Sequence, residues 1–244
     1  MIIEGKNSVY ESLVAGVTFN KLMVARGLND ASSNKIIDLA RSKGIFITFV
    51  DRKVLDKSSE SKRHQGFIAD VTDYVYSDVD SIIKYAASKG EQPFVVILDG
   101  IEDPHNFGSI IRVCECAGVH GIIIPKQRAC AVNGTVIKVS AGAVNHLKIA
   151  RITNINQTIE YLKKEGFWIY CADMDGEDVY RTNLIGPLAL VIGSEGKGVS
   201  KLTRQISDGA VKLPMFGRVN SLNASTATSA IVYEIVRQRN FKWV

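Results

Sequence analysis

The spacing of apolar positions changes character part-way along the chain. Up to Val71 it alternates in short units: Asn7-Ser8 is placed to cap a helix through Val14, Leu22 to Ala25 reads as a strand, and Asn34 is placed to cap a helix to Lys43. Ile45 to Val50 is β-branched and aromatic, as buried strands are, and Phe67 to Val71 reads as another strand. Between them lies a polar stretch, Asp51 to Gln65. From Phe94 onward the apolar runs are continuous: Phe94 to Leu98, Gly121 to Ile124, Phe167 to Cys171 and Leu188 to Ile192, the pattern of strands covered on both faces. Helical segments separate most of them, at Gly108 to Ala117, at Asn156 to Glu165 and after Val199. Such alternation predicts a mostly parallel sheet with helices on both sides, whose ligands sit beyond the carboxyl ends of the strands. The pattern weakens from Thr72 to Gln92, which predicts a boundary: a small domain over 1–74, a linker over 75–92 and a larger domain over 93–244.

Composition narrows this picture only slightly. With 46% hydrophobic residues in 244, the chain can fill real cores. The net charge of +5 suits a polyanionic partner, which gives up counterions on binding, and suits an ordinary solvated surface equally well. No apolar run approaches the roughly 20 residues that cross a bilayer, and Met1 to Tyr10 carries Glu4 and Lys6, so neither a membrane nor secretion is expected. Four cysteines, sparsely and unevenly placed, do not make a disulfide framework and fit a reducing cytoplasm.

Three segments that follow predicted strand ends are dense in Gly, Asn, Ser and Pro: Leu98 to Arg112, Ile192 to Ser200 and Lys212 to Ser225. The glycines at 193, 196 and 198 fit neither G-x-G-x-x-G nor a phosphate-binding loop, which leaves a nicotinamide or ATP site unsupported. Taken alone, that segment reads as a tight turn.

Taken together, Asn106-x-Gly108-x-Ile110-x-Arg112, Gly193-x-Glu195-Gly196-x-Gly198, and Leu213-Pro214-Met215-x-Gly217 with Ser221-Leu222-Asn223-x-Ser225 resemble, in order, the three motifs of the SpoU/TrmH branch of the SPOUT methyltransferases. The unit ending His64-Gln65-Gly66-Phe67 resembles the ribosomal-protein-like substrate-binding domain of a subset of that family, so the resemblance spans nearly the whole chain. It implies an α/β protein: a C-terminal α/β-knot, that is a deep trefoil knot on a mostly parallel sheet, with a small N-terminal α/β substrate-binding domain. It implies S-adenosylmethionine as cofactor, its adenine held by backbone groups at Gly193, Leu213 and Leu222 with Met215 and Gly217 nearby. The implied reaction is methyl transfer to a ribose 2′-hydroxyl, most like that on a guanosine of 23S rRNA, by a cytoplasmic homodimer acting on rRNA or an assembling large ribosomal subunit.

The resemblance also assigns roles. The family gives Arg112 the central one, often as the base for the 2′-hydroxyl. Bringing a guanidinium to neutral pH would cost about 7 kcal/mol, so a charged Arg112 that grips a phosphate and stabilises the developing alkoxide is the better expectation. Asn106 either orients Arg112 or the substrate, or caps the helix near Gly108. Glu195 either holds backbone amides or is a solvated turn carboxylate. Ser221 and Asn223 bind the target nucleotide, or complete the Arg112 network, or cap the last helix. Lys62, Arg63 and His64 are expected to touch RNA, and Arg218 a phosphate near the site. In the last helix Ala227, Ala230, Ile231 and Ile235 are spaced for one buried face, and the resemblance makes this helix part of the dimer interface. His105, His120, His146, Cys114 and Cys116 lack metal-ligand spacing and read as structural. Rival functions are a tRNA ribose methyltransferase, a resistance-type enzyme acting on a ribosomal adenosine, and a non-catalytic ribosome-assembly protein. The presence of Arg112 and of complete second and third motifs points to catalysis.

Overall fold

The computed structural model describes all residues except 18, 60, 72, 73, 220 and 242–244; Asp73 of the predicted boundary and Asn220 of the third motif segment thus lie outside the described residues. In chain order the elements are β1 (Ile2–Glu4), α1 (Lys6–Val14), β2 (Phe19–Ala25), α2 (Ala31–Ser42), β3 (Ile47–Val50), α3 (Arg52–Ser58), β4 (Phe67–Val71), α4 (Val79–Ser88), β5 (Phe94–Asp99) and α5 (Pro104–Cys116). They continue as β6 (Gly121–Pro125), α6 (Gly134–Val139), a 3-10 turn (Ala143–Asn145), β7 (Lys148–Ile152), α7 (Ile155–Lys164), β8 (Trp168–Asp178), β9 (Leu188–Gly193), α8 (Lys201–Ile206), β10 (Gly209–Lys212) and α9 (Ala224–Asn240). Two compact units result, Met1–Val75 with Ala131–His146, and Tyr76–Cys130 with Leu147–Val244.

The first unit is a four-stranded sheet of order β1-β4-β2-β3. Its helices start one turn earlier than the expected caps. Gly5, at φ 96, precedes α1 in place of Asn7 or Ser8, and Asp30, not Asn34, caps α2 by accepting the Ser33 N–H. A cap needs extended backbone together with a side chain that reaches back to the first turn, and Asp30 supplies both. The polar stretch Asp51 to Gln65 contains α3, anchored by the fully buried Leu55. Buried Glu4 accepts hydrogen bonds from the hydroxyls of Ser59 and Ser61 and so fixes the loop that leads to β4. Helix α6 belongs to this unit through the contact of Gly134 with β1, where a Cβ would lie 2.3 Å from the Ile2 carbonyl oxygen.

The second unit is a six-stranded sheet, β10-β8-β9-β5-β6-β7, in which every neighbouring pair is parallel. The continuous apolar runs are its central strands: Val95, Val96 and Ile97 of β5 and Leu190 and Val191 of β9 are fully buried, as covering on both faces demands. Edge strand β7 escaped the sequence pattern because Lys148 and Arg151 interrupt its apolar residues. The stretch expected as a linker with a short helix after Asp80 holds α4, whose Ile82 packs into this core with Val95, Ile123 and Ile159. Strand β8 runs past Cys171 because residues 172–176 bulge out before pairing resumes at Glu177 with Val211. Gly176 closes that bulge where a Cβ would meet the Ala210 backbone at 2.6 Å. In α9 the buried residues are Ala224, Thr228, Ile231, Val232, Glu234 and Ile235, with the expected Ala227 and Ala230 only half-buried.

Candidate active site

Helix α5 begins at Pro104, earlier than the apolar periodicity suggested, and Asp103 caps it by accepting the Asn106 backbone N–H at 2.8 Å. That corrects the capping role considered for Asn106, whose side chain is released for other work. Asn106 Nδ2 donates to Glu195 Oε1 at 3.0 Å, and Asn106 Oδ1 accepts from Asn223 Nδ2 at 2.9 Å. Asn223 Nδ2 also donates to Glu195 Oε1 at 2.5 Å, and the Ala224 backbone N–H reaches the same oxygen at 3.3 Å. Three donors thus converge on one carboxylate oxygen and join segments distant in sequence at a single junction. Asn223 additionally caps α9, its Oδ1 accepting the backbone N–H of Ser225 at 2.9 Å.

Glu195 sits on a tight loop after β9, closed by paired backbone hydrogen bonds between Ser194 and Gly198. Gly193 is required there because a Cβ would fall 2.0 Å from the Gly198 carbonyl carbon. Gly196 and Gly198 take φ of 81 and 65, the left-handed region the turn needs. After β10 comes an apolar loop largely open to solvent: Leu213 is half-buried, while Met215 is 36%, Leu222 43% and Phe216 95% exposed. A side chain at Gly217 would meet nothing within 4 Å.

Beyond the carboxyl ends of β5, β6, β7 and β9 lies a cavity of ≈ 680 Å³. Of the residues given catalytic, cofactor-binding or RNA-binding roles from sequence, Asn106 and Glu195 line it, and Gly198 of the second motif does too. Arg112 lies on the exposed side of α5, six positions after Asn106, and has no hydrogen-bond or ion-pair partner among the described residues. Asn106 therefore does not orient Arg112 by direct contact; its amide is committed to Glu195 and Asn223. Ser221 and Arg218 are exposed as well.

The expected RNA contacts of the first unit divide. Lys62 and Arg63 are exposed, but His64 is 2% exposed, with Nε2 2.9 Å from Asp56 Oδ1 and Nδ1 accepting the Gly66 N–H at 3.0 Å. Its ring is spent on shaping the turn, which corrects its assignment to RNA. His120 is likewise internal: Nδ1 accepts the Phe94 N–H, Nε2 meets Glu91, and burial pushes its pKa down. Burial raises the Cys114 thiol pKa, leaving the thiol uncharged. Residues the motifs did not reveal are Glu102, Gln127, Arg128 and Thr153 to Asn156 on the cavity wall. Their positions just after the ends of β5, β6 and β7 were the available signal.

Residues 93–233 match the family described as SpoU rRNA Methylase, and residues 2–77 the one described as RNA 2′-O ribose methyltransferase substrate binding. The chain belongs to the SpoU rRNA methylase family. It is 45% identical over 238 residues to YacO of Bacillus subtilis, named for the TrmH family of tRNA/rRNA methyltransferases, covering 97% of this chain and 95% of that protein. Its fold matches the SpoU methyltransferase AviRb from Streptomyces viridochromogenes in complex with AdoMet, with TM-score 0.82 and 25% identity over 98% of this chain and 90% of that one. An AdoMet-bound rRNA methyltransferase from Sinorhizobium meliloti matches with TM-score 0.80, at 21% identity, over 99% and 88% of the two chains. This chain is accordingly an S-adenosylmethionine-dependent RNA methyltransferase. The residues present fit that group: the half-buried Leu213 and the exposed Leu222 and Met215 offer the backbone groups and apolar contact that adenine recognition needs, beside the loop that Gly193 closes.

Proposed function

We propose that the chain methylates the ribose 2′-hydroxyl of a guanosine in 23S rRNA or an assembling large ribosomal subunit, in the cytoplasm and as a homodimer that uses α9. The observation that carries this reading is the Asn106–Glu195–Asn223 junction, which fixes three motif segments in one geometry. The match of residues 2–77 to a ribose methyltransferase substrate-binding family supports the 2′-oxygen as acceptor, and the exposed Lys62 and Arg63 of that unit suit a phosphate backbone.

In this reading the loops at Gly193, Leu213 and Leu222 hold S-adenosylmethionine, with Met215 and Gly217 beside it. When bound, it supplies an electrophilic methyl group on a sulfonium. The chain's own residues then do three things. The junction locks the Glu195 loop against the N-terminus of α9, so the pocket wall does not yield when substrate enters; such positioning supplies much of the barrier reduction in a two-substrate transfer. Arg112, charged and without a partner among the described residues, grips the phosphate beside the target sugar and stabilises the oxygen as its proton passes to water. Arg218 and Ser221, exposed next to the cofactor loop, contact the same nucleotide.

Arg112→Ala tests this assignment. The expected result is loss of methyl transfer with S-adenosylhomocysteine affinity, measured by calorimetry, within a few fold of the parent. Near-normal turnover in that variant would remove the mechanism.

A further inference from the structure

We infer that the cavity over the ends of β5, β6 and β7 holds the base of the methylated nucleotide and selects guanine through Glu102 and Arg128. This deepens the methyl-transfer reading and rests on it. The cavity is lined by Asn106 and Glu195, not by Gly193, Leu213 or Leu222, and reaches Arg128 after β6 and Asn154 after β7. Neighbouring strands lie about 4.8 Å apart, so crossing from the β9 loop over β5 to β6 covers roughly 10 Å. That is the reach from a ribose hydroxyl to the far edge of a purine.

The charge on the wall identifies what enters. Carboxylates of Asp99, Glu102, Asp103 and Glu195 outnumber the cations Arg128 and Lys197, which repels a phosphate and favours a neutral ring that presents N–H groups. Three of those carboxylates are already engaged: Asp99 accepts the Ser200 N–H at 3.0 Å, Asp103 the Asn106 N–H at 2.8 Å, and Glu195 the amides of the junction. Glu102 and Arg128 are exposed to the cavity and have no hydrogen-bond or ion-pair partner among the described residues. Arg128 is moreover held at φ 54, a conformation side-chain-bearing residues seldom adopt, while the Cys130 N–H anchors its loop to the Ile101 carbonyl at 2.8 Å. A free carboxylate and a free guanidinium complement guanine: the N1–H and N2 amino group donate to Glu102, and O6 and N7 accept from Arg128. Adenine turns an acceptor toward the carboxylate, and pyrimidines lack the N7 edge.

The test uses the full chain, S-adenosylmethionine and RNA carrying either guanosine or inosine, which lacks the N2 amino group, at the mapped target. The parent protein is expected to lose about tenfold in kcat/KM on inosine. Glu102→Gln is expected to lose a similar factor on guanosine and to stop distinguishing the two, with unfolding temperature and S-adenosylhomocysteine affinity unchanged. Arg128→Ala is expected to lower kcat/KM on both substrates. Parent-like discrimination by Glu102→Gln, or a methylated nucleotide other than guanosine, overturns the inference while leaving methyl transfer intact. Absence of any ribose methylation by the parent protein overturns the underlying reading as well.

Discussion

Asn223 holds two roles in one side chain, and they separate by substitution. Its Oδ1 caps α9, while its Nδ2 donates to Asn106 Oδ1 at 2.9 Å and to Glu195 Oε1 at 2.5 Å. Asn223→Ala removes both roles. Loss of the cap costs about 1 kcal/mol, which lowers the unfolding temperature by roughly 2–4 °C in a chain of this size. Asn223→Ser keeps a capping oxygen and removes only the amide, so its unfolding temperature should stay near the parent value. Turnover should nonetheless fall by about 100-fold in both, since Glu195 and Asn106 lose their shared donor and the loop after β9 is free to shift by the ångström that such positioning tolerates poorly. Asn223→Asp keeps the cap but puts a carboxylate against Glu195. Like charges so placed raise the pKa of one of them, so turnover in this variant should recover partly as pH falls. The assay is single-turnover methyl transfer with thermal unfolding on the same samples. Parent-like turnover in Asn223→Ser would refute the reasoning, because it would leave Asn223 as a cap alone.

Three further outcomes follow from the same geometry. The Arg239 guanidinium donates to the carbonyls of Gln92, Pro93 and Gly186 and lies 4.9 Å over the Phe94 ring, and burial pushes its pKa down to about 10. Arg239→Ala should cost about 2–4 kcal/mol and show in calorimetry as a fall of roughly 5–12 °C. Lys62→Ala with Arg63→Ala should weaken RNA binding and reduce the slope of log K against log salt by about 1.4, the value for two phosphate contacts on single-stranded RNA, while His64→Ala should act on stability. His120 binds its proton less readily folded than unfolded, chiefly through burial, so its contribution is present above about pH 6.5 and is lost as pH falls below it. Unfolding temperatures measured from pH 7.5 down to 5.5 should fall less steeply in His120→Gln than in the parent.

The central strands were legible because continuous apolar runs have few other uses, and β5, β6 and β9 stand where the pattern put them. Edge strand β7 and helix α6 were not, since half-buried elements carry mixed sequences that periodicity does not separate from loops. The motif segments drew attention to Asn106, Glu195 and Asn223, yet the hydrogen bonds among them were invisible: they join positions far apart in sequence. His64 follows two cations, Lys62 and Arg63, and its neighbours in sequence do not show that the left-handed backbone at Gln65 and Gly66 accompanies a ring that is buried. Arg128 lies outside the three segments, and Glu102, inside the first, holds no motif position; the cavity is what brings the two together.

The most direct test of the account is transfer of isotopically labelled methyl from S-adenosylmethionine to 23S rRNA from cells that lack the protein, followed by digestion to nucleosides. The account predicts label in 2′-O-methylguanosine at a single position, and none with Arg112→Ala. Label on a base, or no label with any RNA, would contradict it.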